Sequence, residues 1–277
     1  MSNNIPLAEK IKEIMKHIKF LPALVLILFL HHFSFASVEV IGSLKHTQTS
    51  NPGEIYTGEI ELQNSGSSKQ EIRVYQTDLL YNYEEYTYYD EPVTHKRSNA
   101  PWVEFSPQTL VLQPNERAFI QYKVKVPATD TLNGTFWSIL MVESVNPVTP
   151  DTSGQLNIQT ITRYGVQIIT ELEDKGKGNL KFFEPVLLTE EDDLILAVDI
   201  ENTGDHYIRP EVSIELYDEE GNSVKKIQAG SKGLFPRTSS RFRMKLEGLE
   251  AKQEYQALII AAGKNENVFG LEYTLYL

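Results

Sequence analysis

"GTFWSILMVESVNPVTPDTSGQLNIQTITRYGVQIITEL", residues 134–172, decides how this chain folds. Gly134 to Val145 is nearly all apolar in its middle, the composition of a central strand buried on both faces. "NPVTPDTSG" (146–154) then supplies prolines and turn residues, a flexible connection. From Leu156 the pattern alternates. Leu156, Ile158, Thr160, Thr162, Tyr164 and Val166 fall on one face; Asn157, Gln159, Ile161, Arg163, Gly165 and Gln167 fall on the other. Two readings follow. The segment is an ordinary last strand whose apolar face is core. Alternatively, it pairs internally over its second half and offers Leu156 and Ile158 to another chain over its first.

The same grammar continues on either side. "EIYTGEIELQN" (54–64) alternates and ends at the turn cluster "NSGSS"; "QEIRVYQTDLL" (70–80) follows. "TLVLQPNERAFIQYKVKVP" (109–127) reads as two strands around "QPNE". In the second of these the apolar face is Phe119, Tyr122, Val124 and Val126, with a slip at Ile120 that predicts a bulge. "EDKGKGN" (173–179) is charged, glycine-rich and without an apolar anchor, hence a linker. Seven further short strands follow, from "NLKFFEPVLL" to "VFGLEYTLYL", with "DEEGNS" as a hairpin turn. No 3.6-residue period is sustained. The expected fold is all-β: two immunoglobulin-like β-sandwich domains in tandem, 37–172 and 180–277.

Residues 1–36 stand apart. Lys10, Lys12, Lys16 and Lys19 precede the apolar run "FLPALVLILFL", and "SFA" (34–36) offers small residues for signal-peptidase cleavage. The run is short for a membrane span. A signal peptide cleaved after Ala36 is expected, with an uncleaved anchor as the alternative. No later segment is apolar enough to span a membrane, and the remainder is expected to be exported, to the periplasm or the cell surface. The whole chain carries 26 basic and 38 acidic residues, net -12, and removing the leader's four lysines and two acids leaves a still more acidic remainder. That argues against nucleic acid and against electrostatic adhesion to anionic surfaces. There is no cysteine. Thiol catalysis and cysteine-based zinc sites are excluded, and the fold must rely on its apolar cores.

No catalytic constellation is present. His46, His95 and His206 form no HExxH or other paired metal spacing, and GxSxG and P-loop motifs are missing. "EEDD" (190–193) and "DEEG" (218–221) lack the order of a calcium loop and read as solvated turns. No enzyme activity, cofactor or metal is expected. "YNYEEYTYYDEP" (81–92) is the most one-sided stretch. It reads as a β-hairpin excursion whose tyrosine rings pack against each other across strands, or as an aromatic contact surface made by Tyr83, Tyr86 and Tyr88.

Several stretches resemble the periplasmic pilus-assembly chaperones of the PapD-like superfamily. "WVEFSPQTLVLQPNER" is similar to their signature of an apolar strand, a proline and L-x-P-x-x before a basic residue. "FWSILMVESVNP" resembles the buried strand before their mobile loop, and "LNIQTITRYGVQI" resembles their exposed donor strand. The resemblance implies a chaperone or assembly factor that lends a strand to a partner polypeptide, a pilin-like or other surface subunit. Leu156 and Ile158 match two donor positions, and Thr160 falls on a third where an aliphatic residue is usual. It also implies a basic clamp for the partner's terminal carboxylate. Arg163, offset by two residues on the same face, and Lys45 are its candidates. The first domain also resembles WxL-interacting two-domain surface proteins, which implies a scaffold binding peptidoglycan or surface-protein partners. The chain ends at Leu277 without their membrane anchor, which favours a soluble molecule.

Overall fold

The computed structural model describes residues 38–129, 131–145, 161–172, 178–191, 193–249, 252–263 and 268–277. The predicted leader, the donor positions Leu156, Ile158 and Thr160, and most of the predicted linker lie outside them. The described residues form two β-sandwiches and one short 3-10 turn, Ala100–Trp102.

The first sandwich contains β1 (Val38–Ile41), β2 (Lys45–Ser50), β3 (Ile55–Asn64), β4 (Gln70–Tyr81), β5 (Thr87–Asp90), β6 (Val103–Ser106), β7 (Thr109–Leu112), β8 (Arg117–Lys125), β9 (Gly134–Val145) and β10 (Arg163–Leu172). One sheet runs β1-β3-β8-β6. The other runs β2-β10-β9-β4-β5, with β7 also on β4. Their inner faces meet in a core that includes Ile60, Leu62, Ile72, Val74, Ile120, Leu140, Val142, Val166 and Ile168. Burial of this alternating set is the main favourable term holding the layers together.

The expected bulge at Ile120 does not occur. β3 and β8 pair without a break from Ile55↔Lys125 to Gln63↔Arg117. Ala118, Phe119 and Ile120 are consecutive apolar residues, so one must face out. Ile120 sits opposite Ile60 in the core, while Phe119 is 46% exposed. The inward set is therefore Ala118, Ile120, Tyr122 and Val124.

The second sandwich contains β11 (Leu180–Phe182), β12 (Val186–Glu190), β13 (Asp193–Asn202), β14 (Glu211–Tyr217), β15 (Ser223–Ser231), β16 (Ser239–Lys245), β17 (Glu254–Ala262) and β18 (Val268–Tyr276). β11, β12 and β16 all pair with β13; the facing sheet runs β15-β14-β17-β18. The expected single strand "NLKFFEPVLL" is divided. Both pieces pair antiparallel with β13, but their registers differ by one residue across Phe183–Pro185. Pro185 has no N–H for the ladder, so the strand bends there.

Two features of this fold position the candidate site. First, the chain changes sheets at its start. β1 pairs antiparallel with β3 in one sheet. The backbone then turns at Gly42 (φ +94), and β2 runs parallel to β10 in the other. That φ is readily adopted by glycine and strained for other residues. Second, the outer face of the β10-β9-β4 sheet meets the second sandwich. Leu79, Trp137, Ile139, Met141 and Ile169 form a cluster with Phe235, and Tyr75, Leu80, Tyr81 and Tyr207 pack on it. The Tyr81 hydroxyl donates to the Gly233 carbonyl at 2.7 Å and accepts from the Phe235 N–H at 3.2 Å. Burial pushes that phenol up to about 12, so it stays protonated and able to donate. Arg97 pairs with Asp205 across the same junction.

Candidate partner-binding edge

β10 lies beside β9 along its whole length, from Arg163↔Glu143 to Leu172↔Gly134. On its other side β2 covers only Gln167 to Leu172, beginning at Lys45↔Gln167. The chain is still in the opposite sheet before Gly42, so β2 cannot start earlier. Over Arg163–Val166, β10 therefore presents an edge that no strand among the described residues occupies. Such an edge is a template for pairing with another chain. Its inward side chains are already anchored, Val166 fully buried and Tyr164 packed on the core. The edge is thus backed by packed core side chains.

On the outer face beside this edge stands a cross-strand charge ladder. Arg73 of β4 and Arg163 of β10 both lie directly opposite Glu143 of β9. Arg73 donates to Glu143 Oε1 at 3.1 Å, Arg163 Nε lies 2.8 Å from Oε2, and the Tyr75 hydroxyl donates to Oε2 at 2.8 Å. Burial pushes the Glu143 carboxyl up, but the Tyr75 hydrogen bond and the two guanidiniums outweigh it, and the net shift is downward. Glu143 is nearly covered, with 9% of its side chain exposed; Arg73 and Arg163 keep 57% and 55%.

Next to the ladder the tyrosine-rich hairpin folds over the sheet. β5 pairs with the end of β4, Leu79↔Tyr89 and Tyr81↔Thr87. A Cβ on Gly165 would stand 3.2 Å from Ile139, 3.4 Å from the Met141 sulfur and 3.8 Å from the Tyr89 ring. Gly165 thus leaves room for Tyr89 to reach across β9 to β10.

The other sequence-selected residues are dispersed. Lys45 does not converge with Arg163. Its strand neighbour is Gln167, four residues or about 13 Å further along β10, and its Nζ lies 3.4 Å above the Tyr207 ring. A two-residue basic clamp from Lys45 and Arg163 is not assembled. Tyr83 is drawn into the junction, its ring 5.1 Å from Phe183 and its N–H donating to Ser239 at 3.0 Å. Tyr86 and Tyr88 remain exposed, with ring centroids 6.1 Å apart. Their contact runs along the strand, between residues two apart, instead of across the hairpin. Glu85, in the same hairpin, accepts from Arg243 of β16.

Sequence reading missed Arg73, Glu143, Gly165 and Tyr89. Parity could have placed Glu143 outside, opposite in phase to Leu140 and Val142, but only the register brings it level with both arginines. Among the described residues no group of three or more His, Asp or Glu could hold a metal ion, and no helix is long and apolar enough to cross a membrane. A junction cleft of about 530 Å3 is lined by residues including His95, Lys96, Arg97, Trp137, Asp205 and Arg237. Asp205, the carboxylate among its lining residues, is committed to Arg97.

No family model matches the chain, and no curated protein matches it. Among solved structures it is similar to fimbrial chaperones. A chain of a chaperone–tip adhesin complex of CFA/I fimbriae biogenesis is 12% identical, with 86% of this chain and 98% of that chain covered and a TM-score of 0.47. The class 5 fimbriae chaperone CfaA is 13% identical, with 87% and 100% covered and a TM-score of 0.45. The Pseudomonas aeruginosa CupB2 chaperone is 12% identical, with 86% and 100% covered and a TM-score of 0.42.

Proposed function

We propose that this is an exported, non-enzymatic assembly chaperone that holds a partner polypeptide by strand pairing along β10. The observation that carries the reading is the edge Arg163–Val166, uncovered by β2 and anchored from behind by Tyr164 and Val166. The segment before it, Leu156, Ile158 and Thr160, keeps the same parity and would extend the edge, placing apolar side chains where a partner's core could receive them. The leader-like residues 1–36 and the stretches "WVEFSPQTLVLQPNER" and "FWSILMVESVNP" support export and a role in subunit assembly. The partner is a pilin-like or other surface subunit that lacks a strand. Backbone hydrogen bonds would provide the pairing, and the alternating side chains its register. Tyr86 and Tyr88 form a secondary contact surface on the neighbouring hairpin.

Replacing Leu156 and Ile158 together with Asp tests this. Co-purification with an envelope partner is expected to disappear while the unfolding curve is unchanged. Retained binding would overturn strand donation from this edge. Retention on purified cell wall without any polypeptide partner would instead identify a wall scaffold.

A further inference from the structure

We infer that the strand added to β10 carries an acidic side chain on its outward face, level with Arg163. This rests on the strand-pairing reading above and specifies the partner's chemistry. Across β4, β9 and β10 the outward residues Arg73, Glu143 and Arg163 form one row, each directly opposite the next. Their charges read plus, minus, plus. At the β4 end the row terminates on a neutral residue, because Arg73 lies opposite Thr109 of β7. At the β10 end it stops at the open edge.

One carboxylate therefore serves two guanidiniums, and the row carries an excess positive charge. Both Glu143 oxygens are engaged, one by Arg73 and the other by Arg163 and Tyr75. Arg163 meets it through Nε at 2.8 Å and keeps more than half of its side chain exposed. A strand laid along Arg163–Val166 would place one outward residue beside that guanidinium, whether it ran parallel or antiparallel. A basic residue there would repel it, and a neutral one would cover it without pairing. An Asp or Glu would complete an alternating row of four, the arrangement favoured between directly opposed strand residues. The residues flanking the acid face the other way, toward the sandwich interior, as Tyr164 does on β10. The expected signature in the partner is apolar–acidic–apolar.

The probe is a set of fluorescent twelve-residue peptides of alternating valine and threonine, solubilised by a polyethylene glycol tail. One threonine is replaced by Glu, Gln or Lys, and the replaced position is stepped along the outward face. Anisotropy at low salt should show the best Glu peptide binding about fivefold more tightly than its Lys counterpart. Arg163→Gln should abolish the difference and Arg163→Glu should reverse it, with unfolding curves confirming that both variants remain folded. Equal binding of Glu, Gln and Lys peptides overturns the acidic register and leaves strand pairing standing. If no peptide binds the unaltered protein, strand pairing at this edge falls and the inference falls with it.

Discussion

Trp137 and Phe235 stack nearly face to face across the boundary between the two sandwiches, with centroids 4.4 Å apart and planes 15° from parallel. Trp137 belongs to β9, the strand that supports β10, while Phe235 sits in the connection before β16. Both are almost fully buried. His95 also stacks on Trp137, at 4.3 Å. The pair ties β9, and through it β10, to the second sandwich.

Phe235→Ala should therefore lower stability by about 3 kcal/mol or more through the cavity it leaves. It should also separate unfolding of the two sandwiches into two urea transitions, where the unaltered protein is expected to show one. Tryptophan fluorescence and far-UV dichroism, recorded on the same samples, would reveal the separation. Coincident transitions in the variant would show that the stack does not couple the domains.

His95 makes stability depend on mild acidification. Burial against Trp137 lowers its pKa, and only partly does the Asp78 carboxylate oppose this. The groups around it include Asp78, whose Oδ2 is 3.8 Å from Nε2, and the Arg97 N–H, which donates to Nδ1. With the folded pKa below the unfolded value near 6.5, the unfolded chain binds the proton first. Stability is full above about pH 6.5 and declines as pH falls through the window down to the folded pKa. His95→Gln should flatten that slope in urea midpoints measured between pH 7 and pH 5.

Glu143 works in a lower window. Its folded pKa lies below the unfolded value, near 4.3, so its contribution is present above that value and lost as pH falls through the folded one. Glu143→Gln should cost about 1 kcal/mol at pH 7, the scale of a partly exposed charge pair. It should cost less at pH 3 than at pH 7, because below the unfolded value the unfolded chain takes up the proton before the native carboxyl does. An equal loss at both pH values would mean that packing, not charge, is what the substitution removes.

Gly58 tests the inner packing of the other sheet. A Cβ there would overlap the Tyr122 hydroxyl, which bonds His46 Nδ1 at 3.0 Å. Gly58→Ala should destabilise by about 1–3 kcal/mol through overpacking. The ring carbon Cζ would also overlap that Cβ, so Gly58→Ala should cost less in a Tyr122→Leu background, which removes the ring, than it does alone in thermal or urea unfolding. Additive losses in the double variant would place the strain elsewhere.

The all-β class, the two sandwiches and most strand positions were legible because period-two alternation is a local property of each segment. Gly134–Val145 reads as a central strand from its composition alone, and it is one. Ile120 and Pro185 were misread at the scale of single residues. In a run of consecutive apolar residues the neighbouring strand chooses which one faces in, and alternation alone does not show where a ladder shifts register.

What the sequence by itself determined is the set of strands and the two faces of each. The site was decided by tertiary structure. That β2 reaches β10 only from Lys45↔Gln167, leaving Arg163–Val166 uncovered, depends on where the chain crosses between sheets. That Arg73, Glu143 and Arg163 form one row depends on the register of three strands, and residues 73 and 163 are far apart in the chain. Tyr83 was separated from Tyr86 and Tyr88 by its contacts with Phe183 and Ser239 of the second sandwich. Alternation assigns a face to each residue, but it carries no information about which strand lies alongside or at what offset. Those are set when the buried faces pack.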